Sequence, residues 1–314
     1  MEELPVVPVS VNYFPHRQCN YSCEFCFHTT KNLKILPLEE AKRGMAMLAA
    51  AGMKKMNISG GEPFLQARFI GELFKYCKED LGIESCSVVN NGSKVTEKWL
   101  DTYGKYLDFM AISIDSFDPE TNIQLGRSDK SLGDNSSAKS ASKDHIQRVF
   151  QVAEWCRRRG IMVKLNSVIT KLNHLEDMNE AIEELNPFRW KVFQVLILKG
   201  ENDGADSNSL RDGRKLVVSD EQFKAFLERH KNQQSLVPED NETMKDSYLL
   251  LDEDLCFLNC QGGDKKPGRS VLEVGVAEAL KDAGFDEKTF MNRGGVFEWS
   301  RDEEAQRIAN EMDW

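Results

Sequence analysis

Cys19, Cys23 and Cys26 form a Cys-x3-Cys-x2-Cys triplet in the run from Cys19 to His28, directly after a strand-like segment. Three thiolates in one loop can each ligate one iron of a [4Fe–4S] cluster, which leaves the fourth iron without a protein ligand. An open iron can bind a small molecule and pass it an electron. Other uses of the same residues stand beside this one. Zinc takes Cys ligands, and His16 or His28 could complete a Cys3His set. Disulfides or unligated reduced thiols are further alternatives.

A second motif narrows the choice. Ser59-Gly60-Gly61-Glu62-Pro63 follows the short strand-like run Lys55 to Ile58. By itself it could be a plain turn, with glycines permitting close approach of the backbone to a ligand. Together with the triplet upstream it resembles the GGEP motif of radical S-adenosylmethionine (SAM) enzymes, where that backbone meets the methionine part of SAM.

These residues need a scaffold, and the chain supplies a repeating strand, loop and helix. Strands are expected at Val6 to Phe14, Lys55 to Ser59, Cys86 to Asn90, Phe109 to Ile114, Ile161 to Ile169 and Trp190 to Leu198. Helices alternate with them: Pro37 to Ala51, Gln66 to Leu81, Glu97 to Tyr106, Asp144 to Arg159 and Leu175 to Leu185, with a later one at Asp220 to His230. Six such units predict an α/β fold, a partial (β/α)6 barrel with parallel strands. The polar stretch Ser128 to Lys143 reads as a mobile insertion, and residues 199–217 as loop. Past residue 236 the alternation fails. The expected division is a barrel core over 1–217 and an irregular extension over 218–314 that caps the active site.

Strand parity adds chemistry. Residues two apart share a face, which groups Ser10, Asn12 and Phe14; Lys55, Asn57 and Ser59; Ala111, Ser113 and Asp115; Lys164, Asn166 and Val168; and Arg189, Lys191 and Phe193. The alternate face carries Val11, Met56, Ile58, Ile112, Ile114, Leu165 and Val192, suited to packing under helices. The polar set therefore faces the lumen. Burying like-charged Lys55, Lys164, Arg189 and Lys191 is costly without partners. Carboxylates such as Glu62 and Asp115 could neutralise them, or an anionic ligand such as a nucleoside triphosphate could do so. There is no Gly-x4-Gly-Lys-[Ser/Thr] phosphate loop.

Over nearly the whole chain the sequence resembles the viperin family of radical SAM enzymes. The matching segments include Arg17 to Thr29, Leu36 to Gly44, Ser59 to Gln66, Ala111 to Phe117, Lys164 to Ile169, Asn186 to Gln194, Phe226 to Lys231, Met244 to Glu253 and Arg293 to Ser300. The resemblance implies that Cys19, Cys23 and Cys26 hold a [4Fe–4S] cluster whose open iron chelates SAM. It places Phe25, Ser59, Gly60, Gly61, Glu62, Asn91, Ser113 and Arg127 at SAM. It places Asn12 and Asn166 at the ribose hydroxyls, and Lys55, Lys164, Arg189, Lys191 and Lys265 at the triphosphate. Tyr248 falls near the ribose, as a candidate catalytic donor or a core tyrosine. The implied reaction converts CTP to 3′-deoxy-3′,4′-didehydro-CTP. A 5′-deoxyadenosyl radical takes the C4′ hydrogen, the 3′-hydroxyl leaves as water, and one electron and one proton complete an antiviral chain terminator. An external electron donor is required. Another nucleotide, such as UTP or GTP, is an alternative substrate, and a non-enzymatic iron–sulfur partner-binding protein is an alternative function.

Bulk properties agree with a cytoplasmic enzyme. A formal charge of −10 over 314 residues argues against a general nucleic-acid surface. Eight cysteines are too few for a disulfide scaffold, which suits a reducing compartment. No apolar run is long enough to span a bilayer, and the amphipathic membrane helix of vertebrate viperins is not expected here. Cys256 and Cys260 read as structural, and Cys77, Cys86 and Cys156 as buried thiols.

Overall fold

The computed structural model describes residues 7–128, 135–205, 208–244 and 246–292. Its core alternates strands and helices in the order β1 (Ser10–Tyr13), α1 (Leu38–Ala50), β2 (Lys55–Ile58), α2 (Ala67–Glu79), β3 (Ser85–Asn90), α3 (Glu97–Tyr103), β4 (Phe109–Ser113), α4 (Pro119–Gln124), α5 (Asn135–Arg157), β5 (Met162–Ile169), α6 (Asn179–Leu185) and β6 (Arg189–Gln194). Then follow α7 (Asp220–Arg229), β7 (Leu236–Glu239), β8 (Leu249–Leu251), β9 (Cys256–Asn259) and β10 (Lys266–Ser270). All ten strands lie in one sheet of order β10-β9-β8-β1-β2-β3-β4-β5-β6-β7. From β8 through β7 every pair is parallel, while β9 and β10 run antiparallel at one edge. The sheet is open, a partial barrel of the expected α/β kind.

Past residue 236 the regular alternation fails as expected, β8, β9 and β10 following one another without a helix; unforeseen is that β7 joins β6 and β8 joins β1 in parallel, so these residues extend both sides of the sheet. Pro238 in β7 fits an edge strand, where no further ladder bond is needed from it. One expectation is corrected: the polar stretch read as a mobile insertion is in part helix, because α5 begins at Asn135. Residues 129–134, and the tail that carries Arg293 to Ser300, lie outside the described residues. So does Val6, the expected start of the first strand, whose ladder begins at Ser10.

The two-residue period sorts the sheet as the sequence demands. β1, β2, β5 and β6 alternate half-buried and fully buried positions. Val11, Met56, Ile58, Ile112, Leu165, Trp190 and Val192 are fully buried and join one apolar cluster. α1 and α2 pack Met45, Leu48, Ile70, Leu73 and Phe74 into that cluster. On the far side Trp190 meets Phe226 and His230 edge-on, and its indole N–H donates to Ser167 Oγ at 2.9 Å. α7 is set by a capping box between Ser219 and Gln222, which satisfies its first free amides. With the outward face closed by helices, the other face is left to polar side chains.

Candidate active site

The cysteine loop leaves β1 and is clamped by backbone contacts. Gly61 N–H donates to His16 C=O at 2.9 Å and Glu62 N–H to Gln18 C=O at 2.7 Å. A Cβ on Gly61 would collide with the Gln18 carbonyl, and Gly60, at φ +113°, faces the His16 carbonyl. The glycines are thus needed so that two backbone segments can touch. From the other side, Ser22 N–H reaches Gly126 C=O and Glu24 N–H reaches Leu125 C=O. The three thiols are free and sit in one another's fields. Burial pushes Cys19 up to about 12 and Cys23 up to about 11, the neighbouring thiols adding to it, while Arg127 opposes it at Cys23. Buried thiols of this kind become thiolates when a cationic group binds them.

These residues fit a [4Fe–4S] cluster. Three thiols in one loop supply the donor set of such a cluster, one thiolate per iron. His28 Nδ1 lies 2.9 Å from Lys265 Nζ, and His16 is wholly buried.

Around the loop stand the residues expected at SAM. Glu62 is buried and accepts from Phe64 N–H at 3.0 Å and Asn91 N–H at 2.7 Å. Burial raises its pKa to about 7 against those donors. Asn91 donates to Asn20 Oδ1 at 3.0 Å and so ties the β3 loop to the cysteine loop. Arg127 is paired with Asp115 and lies 5.5 Å from the centre of the Phe25 ring. Ser59 N–H donates to Tyr13 C=O at 2.9 Å, and Ser113 sits opposite Asn166 in the β4–β5 ladder.

The lumen holds the second group. Ladder register sets Asn12 beside Asn57, Lys164 beside Arg189, and Asn166 beside Lys191. Lys164 stands 3.4 Å from the centre of the Phe109 ring, a cation–π arrangement. Burial, then the charges of Lys191, Arg189 and Lys55, depress its pKa well below the ordinary lysine value. Those four cations therefore share one field. Glu62 and Asp115, considered above as their neutralisers, are engaged otherwise, with backbone amides and with Arg127. Lys191 instead pairs with Glu239 at 2.7 Å and donates to the Tyr248 hydroxyl at 3.0 Å. Asn12 is fixed at both ends of its amide, accepting from Asn57 at 2.9 Å and donating to Leu249 C=O at 3.2 Å.

Lys265 has different neighbours. It is buried against Glu201 at 3.1 Å and His28, and burial lowers its pKa to about 8 while Glu201 opposes that. Glu201 also binds Arg17 at 3.0 Å and both the N–H and hydroxyl of Thr29, and Arg17 reaches Glu253 at 2.9 Å. This network joins the loops that follow β1, β6, β8 and β9. Sequence reasoning missed Glu201, Glu253 and Glu239. Each lies in an irregular or very short segment, where no periodicity assigns a face.

An open parallel barrel with a three-cysteine loop beyond its first strand defines a radical SAM enzyme. The Radical SAM superfamily model matches residues 13–185. The chain is 50% identical over 303 residues to the S-adenosylmethionine-dependent nucleotide dehydratase RSAD2 of Oncorhynchus mykiss, covering 96% of this chain and 83% of that protein. It is 52% identical over 296 residues to the protein of the same name from Danio rerio, covering 94% and 79%. The S-adenosylmethionine-dependent nucleotide dehydratase of Flammeovirga pacifica is 33% identical, covering 94% and 97%. Among solved structures, native anSMEcpe with bound AdoMet aligns with TM-score 0.63 at 15% identity, covering 90% of this chain and 84% of that one, which shows a shared fold. The chain belongs to the radical SAM superfamily and, within it, to the viperin family of S-adenosylmethionine-dependent nucleotide dehydratases. Its cofactors are a [4Fe–4S] cluster and SAM.

Proposed function

We propose that this enzyme removes water from the ribose of a nucleoside triphosphate, CTP foremost, to give 3′-deoxy-3′,4′-didehydro-CTP. The observation that carries the reading is the lumen set of Lys55, Lys164, Arg189 and Lys191, in which burial first, and then the charges of the other three, depress the Lys164 pKa. A group of like charges held together at such cost is stabilised by a multiply charged anion. Cys19, Cys23 and Cys26 would hold the cluster, which with SAM supplies one-electron cleavage and hydrogen abstraction when bound. The protein's own residues bind, orient and exclude. Glu62, Asn91, Phe25, Ser59, Gly60, Gly61, Ser113 and Arg127 form the SAM wall. Asn12 on β1 and Asn166 on β5 belong to the half-buried face of the sheet and would hold the ribose hydroxyls, which fixes the C4′ hydrogen within reach. Tyr248, whose hydroxyl oxygen accepts from Lys191 at 3.0 Å, is the candidate donor. Lys265, held against Glu201 and His28, would be a further phosphate contact, and Tyr248 and Lys265 would be the contribution of the C-terminal extension to the site.

Replacing Lys191 with alanine tests the pocket. Nucleotide affinity, read by calorimetry, is expected to fall about tenfold or more, the scale of one lost hydrogen bond to a charged group. An affinity equal to that of the parent protein would remove the lumen from the nucleotide site.

A further inference from the structure

We propose that Glu239 is a positioning residue for the reaction: it fixes the Lys191 ammonium and, through it, the Tyr248 hydroxyl, at the expense of nucleotide affinity. The inference rests on the nucleotide reading above. Glu239 ends the edge strand β7 and faces Phe193 in the ladder with β6, one alternation beyond Lys191. Its side chain is 3% exposed and its Oε1 lies 2.7 Å from Lys191 Nζ. The same ammonium donates to Tyr248 Oη at 3.0 Å and sits 5.4 Å from the centre of that ring and 5.7 Å from the Phe193 ring. An ammonium has three protons. Here one goes to the carboxylate and one to the phenol oxygen, which leaves one for a ligand.

This geometry gives Glu239 two opposed effects. As a buried acceptor it removes the freedom of a long flexible side chain, so Lys191 always presents the same proton to Tyr248. Once that phenol oxygen is occupied as an acceptor, its own hydrogen is directed elsewhere. As a negative charge among cations that attract phosphates, however, Glu239 competes with an incoming triphosphate for Lys191. An adaptor that merely binds an anion gains nothing from a buried carboxylate in that place. An enzyme that must aim a hydroxyl gains orientation.

The test separates the two effects. Glu239→Ala, Glu239→Gln and Tyr248→Phe are made in the full chain, and CTP affinity is measured by calorimetry beside kcat and KM in the cluster-loaded enzyme. For Glu239→Ala, CTP is expected to bind as tightly as in the parent or tighter, while kcat falls about tenfold, the scale of one hydrogen bond to a charged group. Glu239→Gln keeps an acceptor and loses the charge, so it should bind CTP more tightly and recover most of kcat. In the Tyr248→Phe background, Glu239→Ala should cost no further kcat. Weaker binding with unchanged kcat, unaltered values of both, or losses that multiply in the double variant would each overturn the proposal. If no nucleotide supports turnover by the parent enzyme, it is the dehydratase reading that fails. The calorimetric comparison then still decides whether Glu239 opposes anion binding at Lys191.

Discussion

Lys164 is the residue on which the electrostatics of the lumen converge. Its amine is held well below the ordinary lysine range by burial and by Lys191, Arg189 and Lys55. A triphosphate that enters this field reverses the sign of its surroundings and restores the charged form. The free protein then holds fewer protons than the complex, so binding takes up a proton, and affinity falls as pH rises between the depressed and the ordinary lysine value. Calorimetry in two buffers of different ionisation enthalpy reads that uptake directly. An affinity independent of pH, with no proton taken up, would show that Lys164 does not meet the phosphates. Within the protein the same depression means that protonating Lys164 works against the fold, so its penalty is largest at low pH and fades as pH rises.

At the scale of elements, the loops beyond β1, β6, β8 and β9 do what hydrogen-bonded closure of the sheet would otherwise do. Glu201 is 4% exposed and holds Arg17, Lys265 and Thr29 together. Burial would raise its pKa, yet Lys265, Thr29 and Arg17 bring it down to about 2. That contribution to stability is fully present above the ordinary glutamate range and is lost as pH falls toward about 2. Glu201→Ala strands the buried Lys265, while Arg17 keeps Glu253, and should cost about 3 kcal/mol, read as a lowered urea midpoint with the m-value unchanged. A loss below about 1 kcal/mol would mean the network behaves as a surface pair. The same loops mark the limit of what the sequence makes legible. Two-residue alternation in β2, β5 and β6 placed Lys55, Lys164, Asn166, Arg189 and Lys191 on one face, because each strand is long enough to display its period. β8 has three residues and β7 carries a proline, so neither shows a period of its own. Their places beside β1 and β6 are set by tertiary pairing. Glu201 and Glu253 sit in irregular chain where local composition says only that the segment is polar. α5 begins inside a stretch of Ser, Lys and Asp, where helix formation depends on continuity with the apolar face around Val149 and Val152 rather than on local propensity.

Across the whole molecule, the two motifs and the polar strand face are carried by one sheet. The cysteine loop is clamped against Gly60 and Gly61, Arg127 and Phe25 stand beside it, and the polar strand face runs on to Lys191, Glu239 and Tyr248. Among the described residues no helix is long and apolar enough to cross a membrane. The net charge of −10 leaves the lumen as a local basic site on an acidic protein, which suits a small anion and repels long polyanions.

The most direct test of the central claim is an anaerobic assay of the reconstituted enzyme with SAM, a reductant and, separately, CTP, UTP, GTP or ATP, reading 5′-deoxyadenosine and nucleotide products by mass spectrometry. Deoxyadenosine is expected to rise most with CTP, together with a nucleotide lighter by one water. A cluster-loaded enzyme that forms no deoxyadenosine above background with any of the four would contradict that claim.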